Sequence, residues 1–194
     1  MLFSSTYQPK RIPIEQQRFL VFVYGSLLSG FGNHRLLEEP ETNVKFIGRA
    51  SIRANLYTQH WGFPFILLSH SNKDRVLGEI YEVDYKTFRR LDSLEGYRRG
   101  RREKSSNHYN RKKVTATQLF RFAYSIEPEN KSLKVWAYEG GDCYWNSYRG
   151  ATHIASGDWK AAKTQYEQQQ SIVILPRPRP SSFFFRNAVK TSSF

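Results

Sequence analysis

Apolar residues cluster and alternate along the chain in short runs separated by polar turns, a pattern of strands with few helices. Residues 19–23 are consecutively apolar, rich in aromatic and β-branched types, and lead into Tyr24-Gly25-Ser26, which predicts a buried strand closed by a tight polar turn. Residues 44–57 alternate loosely, as one or two half-buried strands would, and 61–68 are apolar but broken by Gly62 and Pro64, which favours a bent connection entering a short strand. The cleanest alternation is 76–83, with Val76, Gly78, Ile80 and Glu82 on one face and Leu77, Glu79, Tyr81 and Val83 on the other. Glu79 is thereby a carboxylate forced among apolar neighbours. Two further strands are predicted at 114–122 and 133–138.

Helical spacing is confined to short stretches. Asp84 is placed to cap a helix carrying Phe88, Leu91, Leu94 and Glu95, with Gly96 as its stop, and Asn33 to cap a shorter one containing Leu36 and Leu37. Trp159, in a Ser-Gly-Asp setting, reads as docked in an ordered loop. The organisation expected is a flexible leader at 1–18, one domain at 19–163 with a basic insertion near 98–108, and a low-complexity basic tail at 164–194, where the globular pattern fades after Thr164.

Composition narrows the class. Thirty Lys and Arg against seventeen Asp and Glu give a formal charge of +13, which draws polyanions toward the surface but says nothing of fold. The densest part is 98–113, with Arg98, Arg99, Arg101, Arg102 and Lys104 followed by Arg111, Lys112 and Lys113. It reads either as a nucleic-acid contact or as a solvated loop, and no recognised nucleic-acid motif accompanies it. The single cysteine, Cys143, leaves no internal disulfide framework and suggests a cytoplasmic protein. Five histidines without paired spacing imply no metal, and the apolar run at 19–23 is too short to span a bilayer.

Two features carry candidate chemistry, each with a plain structural alternative. The Tyr-Gly-Ser turn is an ordinary strand end, or a place where glycine lets a ligand approach unpaired amides that hold a carboxylate or an oxyanion. Glu95 is a solvated surface acid, or a carboxyl whose pKa is raised by the carbonyl-rich end of its helix and which is suited to taking and returning a proton. His34, at a helix entry, reads as a packing residue.

Taken together, VYGSLLSGFGNH at 23–34, GFPF at 62–65, VLGEIYEVD at 76–84, LDSLEGY at 91–97, YNRKKV at 109–114, VWAY at 135–138 and SGDW at 156–159 resemble the γ-glutamylcyclotransferase-like family, in particular its γ-glutamylamine cyclotransferase and AIG2-like branch. The resemblance implies an α+β fold, a small closed or nearly closed mixed β-barrel with a few short helices. It implies that Glu95 is the catalytic acid/base, that Tyr24, Gly25, Ser26 and Leu27 bind the γ-glutamyl group, and that Tyr109 and Tyr138 line the pocket. The implied reaction needs no cofactor: the substrate's own α-amine closes on its γ-carbonyl, releasing an amine and 5-oxoproline. The alternative is a barrel without activity that uses its basic surface on nucleic acid or an acidic partner. The basic stretch at 98–104 and the basic tail are departures from the family pattern.

Overall fold

The apolar run at 19–23 lies within β1 (Arg18–Val23), whose last three residues are buried, and β5 (Val76–Asp84) pairs with it antiparallel from Arg18↔Asp84 to Val23↔Glu79. The structure, a computed structural model, describes residues 12–40, 42–59, 61–100, 107–119, 131–141 and 150–173. Strand β5 also pairs with β2 (Lys45–Ile52), β2 with β6 (Tyr109–Gln118), and β6 with β7 (Ser132–Gly140), all antiparallel. A parallel pairing of β7 with β1 closes the ring, through one register position, Val21↔Trp136. The result is a closed five-stranded mixed barrel in the order β1-β5-β2-β6-β7, the fold that the motif resemblance implied.

Beside the barrel lies a three-stranded antiparallel sheet in the order β4-β3-β8, built from β3 (Ala54–Thr58), β4 (Pro64–Leu68) and β8 (Thr152–His153). The alternation at 44–57 is thus two strands, parted at Arg53 and belonging to different sheets. The bent connection entering a short strand is present as β4, which opens on Pro64.

Three helices complete the described residues. α1 (Arg35–Glu38) is a single turn following a 3-10 turn at Gly32–His34. Asn33 does not cap it; its side chain donates instead to Ser26 Oγ at 2.9 Å. α2 (Tyr85–Leu94) begins as its sequence dictates, with Asp84 Oδ1 accepting from the Thr87 amide at 2.7 Å. It also ends so: Gly96 takes φ +61, its amide bonds the Ser93 carbonyl, and the Tyr97 amide bonds the Asp92 carbonyl, the paired bonds of a Schellman stop. Phe88 of α2 stacks on Phe19 of β1 at 4.3 Å and tilts against Trp136 of β7 at 6.0 Å, so the helix lies across the seam where the barrel closes.

Two sequence expectations differ from the structure. The strand expected at 114–122 begins earlier, at Tyr109, because the basic residues at 111–113 mask the strand pattern; Phe120 and Phe122 lie outside the described residues. The pattern does not stop at Thr164 either, since α3 (Trp159–Val173) continues past it. Trp159 is docked as expected, 1% exposed, but as the first residue of this helix. Ala162, Lys163 and Tyr166 follow it at helical spacing as half-buried positions. No helix among the described residues is long and apolar enough to cross a membrane.

Candidate functional site

Strand β1 delivers the Tyr24-Gly25-Ser26-Leu27 turn to one end of the barrel, and the turn is fixed from several sides. The Leu28 amide bonds the Gly25 carbonyl, and Asn33 holds Ser26 Oγ. The ring of buried His34 bonds the Leu27 carbonyl through Nδ1 at 2.8 Å. His34 is thus a packing and positioning residue of the turn, as its place at a helix entry suggested. Glu79 is inside, as the alternation on β5 required, and its Oε2 accepts from the Ser29 amide at 3.1 Å and from the Tyr81 hydroxyl at 2.8 Å. Burial first, and then the Glu79 carboxylate, push the Tyr81 pKa well above the ordinary phenol value, so the hydroxyl remains a donor. Lys160 of α3 donates to the Ser29 carbonyl at 2.9 Å.

Among the described residues no acceptor pairs with the amides of Gly25, Ser26 or Leu27. All three residues line one small pocket, a cavity of about 30 Å³ that opens to solvent. Its remaining walls are Phe22, Val23, Tyr24, Phe63, Pro64, Glu95, Tyr109 and Tyr138, so every candidate site residue from the sequence, Tyr24, Gly25, Ser26, Leu27, Glu95, Tyr109 and Tyr138, meets in one place.

Gly25 is needed there for space. A Cβ at this position would stand 2.9 Å from Pro64 Cγ and 3.1 Å from Pro64 Cδ. Gly25→Ala is expected to cost about 1–3 kcal/mol by overpacking, read as a lowered melting temperature; an unchanged midpoint would show that Pro64 moves aside.

The three tyrosines are anchored by their hydroxyls. Tyr24 donates to the Tyr138 carbonyl at 2.7 Å and Tyr109 to the Pro64 carbonyl at 2.8 Å. Tyr138 donates to Asp92 Oδ1 at 2.9 Å. Burial, and then the negative charge of Asp92, raise the Tyr138 pKa far above its ordinary value. Asp92, 1% exposed, also accepts from Arg111 Nη1, at 2.7 Å through Oδ2, and from Arg89 at 3.1 Å. The Arg111 guanidinium lies over the rings of Phe88, Tyr97 and Trp136 at 4.3, 4.8 and 5.0 Å. Arg111 is therefore no part of a solvated basic run. It is an internal cation supporting the helix that carries Glu95.

Glu95 is the residue that caps α2 at its C-terminal end. It is half-buried as a residue, and burial of its carboxyl pushes its pKa up to about 7. Desolvation, rather than the helix end invoked from sequence, is the cause. No group among the described residues hydrogen-bonds the Glu95 carboxylate, which leaves it available to a ligand in the pocket.

Sequence reasoning does not single out Phe63, Pro64, Asp92 or the inward role of Arg111. Phe63, Pro64, Asp92 and Arg111 all stand in quoted motifs, so each carries a local signal, but the inward role of Arg111 is masked by the run of like charge around it. Of the basic residues, Arg98 and Arg99 are exposed, while Arg101, Arg102 and Lys104 lie outside the described residues, as does Cys143.

A family model described as gamma-glutamyl cyclotransferase, AIG2-like, matches residues 21–161. A protein of Methanocaldococcus jannaschii named "Putative gamma-glutamylcyclotransferase" is 33% identical over 140 residues, covering 67% of this chain and 98% of that one. The gamma-glutamylaminecyclotransferase of Bos taurus is 35% identical over 85 residues, 39% of this chain and 47% of its own. The crystal structure of YkqA from Bacillus subtilis superposes with a TM-score of 0.53 at 21% identity, covering 78% of this chain and 43% of that one, and so shares the fold.

Proposed function

The chain belongs to the AIG2-like gamma-glutamyl cyclotransferase family, and from that premise we propose that it releases an amine from a γ-glutamyl amide, with Glu95 as the acid/base and the turn at 24–27 as the substrate cradle. The observation that carries this reading is one pocket holding both a desolvated carboxyl and three consecutive amides, none of them with a partner among the described residues.

The chemistry asks for little else. The α-amine attacks the γ-carbonyl, a carbon–nitrogen bond forms to close a five-membered ring, and the tetrahedral intermediate then loses the original amine. Across the reaction two protons leave the α-nitrogen and two join the departing nitrogen, so one carboxyl that alternately accepts and donates closes the balance. Amides without an acceptor among the described residues can stabilise the oxyanion, or hold the substrate carboxylate, without reorganising. The substrate brings its own nucleophile, and none is asked of the protein.

A carboxyl near pKa 7 is half ionised at neutral pH, close to the optimum for a group that must work in both directions. We expect release of 5-oxoproline from a panel of γ-glutamyl amides. The acid limb of kcat/KM should fall about tenfold per pH unit below about 7, where Glu95 becomes protonated. No turnover across the panel would refute the proposal, and an acid limb centred near 4.5 would remove Glu95 from the role. The competing reading, an inactive barrel with a polyanion-binding surface formed by Arg98, Arg99, Arg101, Arg102 and Lys104, gains nothing from the described residues.

A further inference from the structure

The far wall of the pocket points to the kind of amine that leaves. Phe63 lines the same pocket as Glu95 and yet keeps 45% of its surface exposed, so it stands where the pocket meets solvent. Its loop is held in an unusual way. Trp61, two residues before it, has φ +52, a left-handed backbone uncommon for a bulky residue and retained only where the surroundings impose it. The surroundings here are aromatic. The Trp61 ring stacks on Tyr166 of α3 at 4.5 Å and 4°, with Trp159 at 6.0 Å, and the Trp61 amide donates to Thr58 Oγ1 at 3.1 Å. Thr58 Oγ1 in turn donates to the carbonyl of Phe63 itself at 3.2 Å, which fixes the loop at both ends. Tyr166 itself lies beyond residue 161, where the match to the family model stops.

The electrostatics of the pocket add a second constraint. Glu95 is the one ionisable acid or base of Asp, Glu, Lys, Arg or His type among the residues lining it. A leaving amine bearing a second cation would find no carboxylate there other than the one engaged in proton transfer, and it would approach a chain of formal charge +13. An uncharged aromatic or aliphatic group meets no such opposition and removes the exposed ring of Phe63 from water.

We propose that Phe63, on the loop braced by the Trp61–Tyr166 stack, is the leaving-group platform of this site and selects γ-glutamyl amides whose amine carries an uncharged apolar or aromatic group over those whose amine carries a second cation. This rests on the γ-glutamyl amide reading above, and the test separates the two. Equilibrium binding to the full chain carrying Glu95→Gln, followed by calorimetry, needs no turnover. γ-Glutamyl benzylamide is expected to bind about tenfold more tightly than γ-glutamyl methylamide, the size of effect a well-formed apolar subsite gives. Adding Phe63→Ala should bring the two within about twofold. In the unsubstituted enzyme, kcat/KM should favour the benzylamide over the mono-γ-glutamyl amide of 1,4-diaminobutane by at least about tenfold. Equal binding of the two neutral amides, an unchanged ratio in Phe63→Ala, or preferential turnover of the diamine conjugate would each overturn the inference. Absence of all turnover, with the binding preference intact, would overturn the reaction and leave Phe63 as the platform.

Discussion

Glu95→Gln is expected to abolish turnover and to make the protein more stable at pH 8. On the proposed mechanism the carboxyl moves protons at both nitrogens, so its amide isostere should lower kcat by about 10²–10⁴-fold. The stability gain follows from the same burial. The folded-state pKa of about 7 lies above the ordinary carboxyl value of 4.5, so between these pH values the folded protein retains a proton that the unfolded chain has lost. Stability therefore falls as pH rises from 4.5 to 7, and the full cost, at most roughly 3 kcal/mol, is present above 7. The substituted glutamine would carry no charge to desolvate and would break no hydrogen bond of the native carboxyl. Thermal melts of both proteins should coincide near pH 4.5 and diverge upward for the variant to a plateau above pH 7. Equal midpoints at pH 8 would show that Glu95 is solvated, and would weaken its assignment at the same time.

Asp92→Ala is expected to be strongly destabilising although Asp92 does not line the pocket. The carboxylate is 1% exposed and receives Arg111, Arg89 and Tyr138 together. The Arg111 side chain is itself only 10% exposed, and its Nε already lacks a partner among the described residues. Removing Asp92 would leave a cation without a counter-charge inside an aromatic cage, at a cost of about 3–5 kcal/mol. For a domain of this size the melting temperature should fall by about 10 °C. The double variant Asp92→Ala/Arg111→Met should recover much of this loss, since an apolar stem among Phe88, Tyr97 and Trp136 needs no counter-charge. A double variant as unstable as the sum of its singles would place the energy elsewhere. Because Asp92 also receives the Tyr138 hydroxyl, the same substitution frees that phenol in the pocket wall.

How much of this is legible from sequence depends on whether the signal is local. The alternation at 76–83 marks β5 and puts Glu79 on the face of Tyr81 and Val83, and Asp84 and Gly96 set the ends of α2, because capping and pleating act within a few residues. The strand at Tyr109 is obscured because charged side chains occupy its sequence, and one of them, Arg111, is drawn inward by Asp92 on another element. α3 is hidden for a related reason. Its buried stripe is thin, and Tyr166 finds its stacking partner in Trp61, more than a hundred residues earlier. The site can be assembled in advance because the quoted motifs carry it through resemblance; periodicity alone places Glu95 at a helix end, with no indication that closing the barrel would bring it opposite the Gly25 turn. The direction of the raised pKa is legible from the helix end, but desolvation, which requires the tertiary fold, is what raises it.

The parallel pairing at Val21↔Trp136 leaves the barrel with one sparsely laddered joint. Four of the five joints are antiparallel ladders of several register positions, and the fifth is one position, so backbone pairing is sparsest where β1 faces β7. The pocket wall includes the turn that follows β1 and Tyr138 of β7, so the pocket spans that joint. The Tyr24 hydroxyl, donating to the Tyr138 carbonyl, acts as a rivet across it. A residue that looks from its position like a substrate contact is, in this sense, also a fastener of the barrel wall.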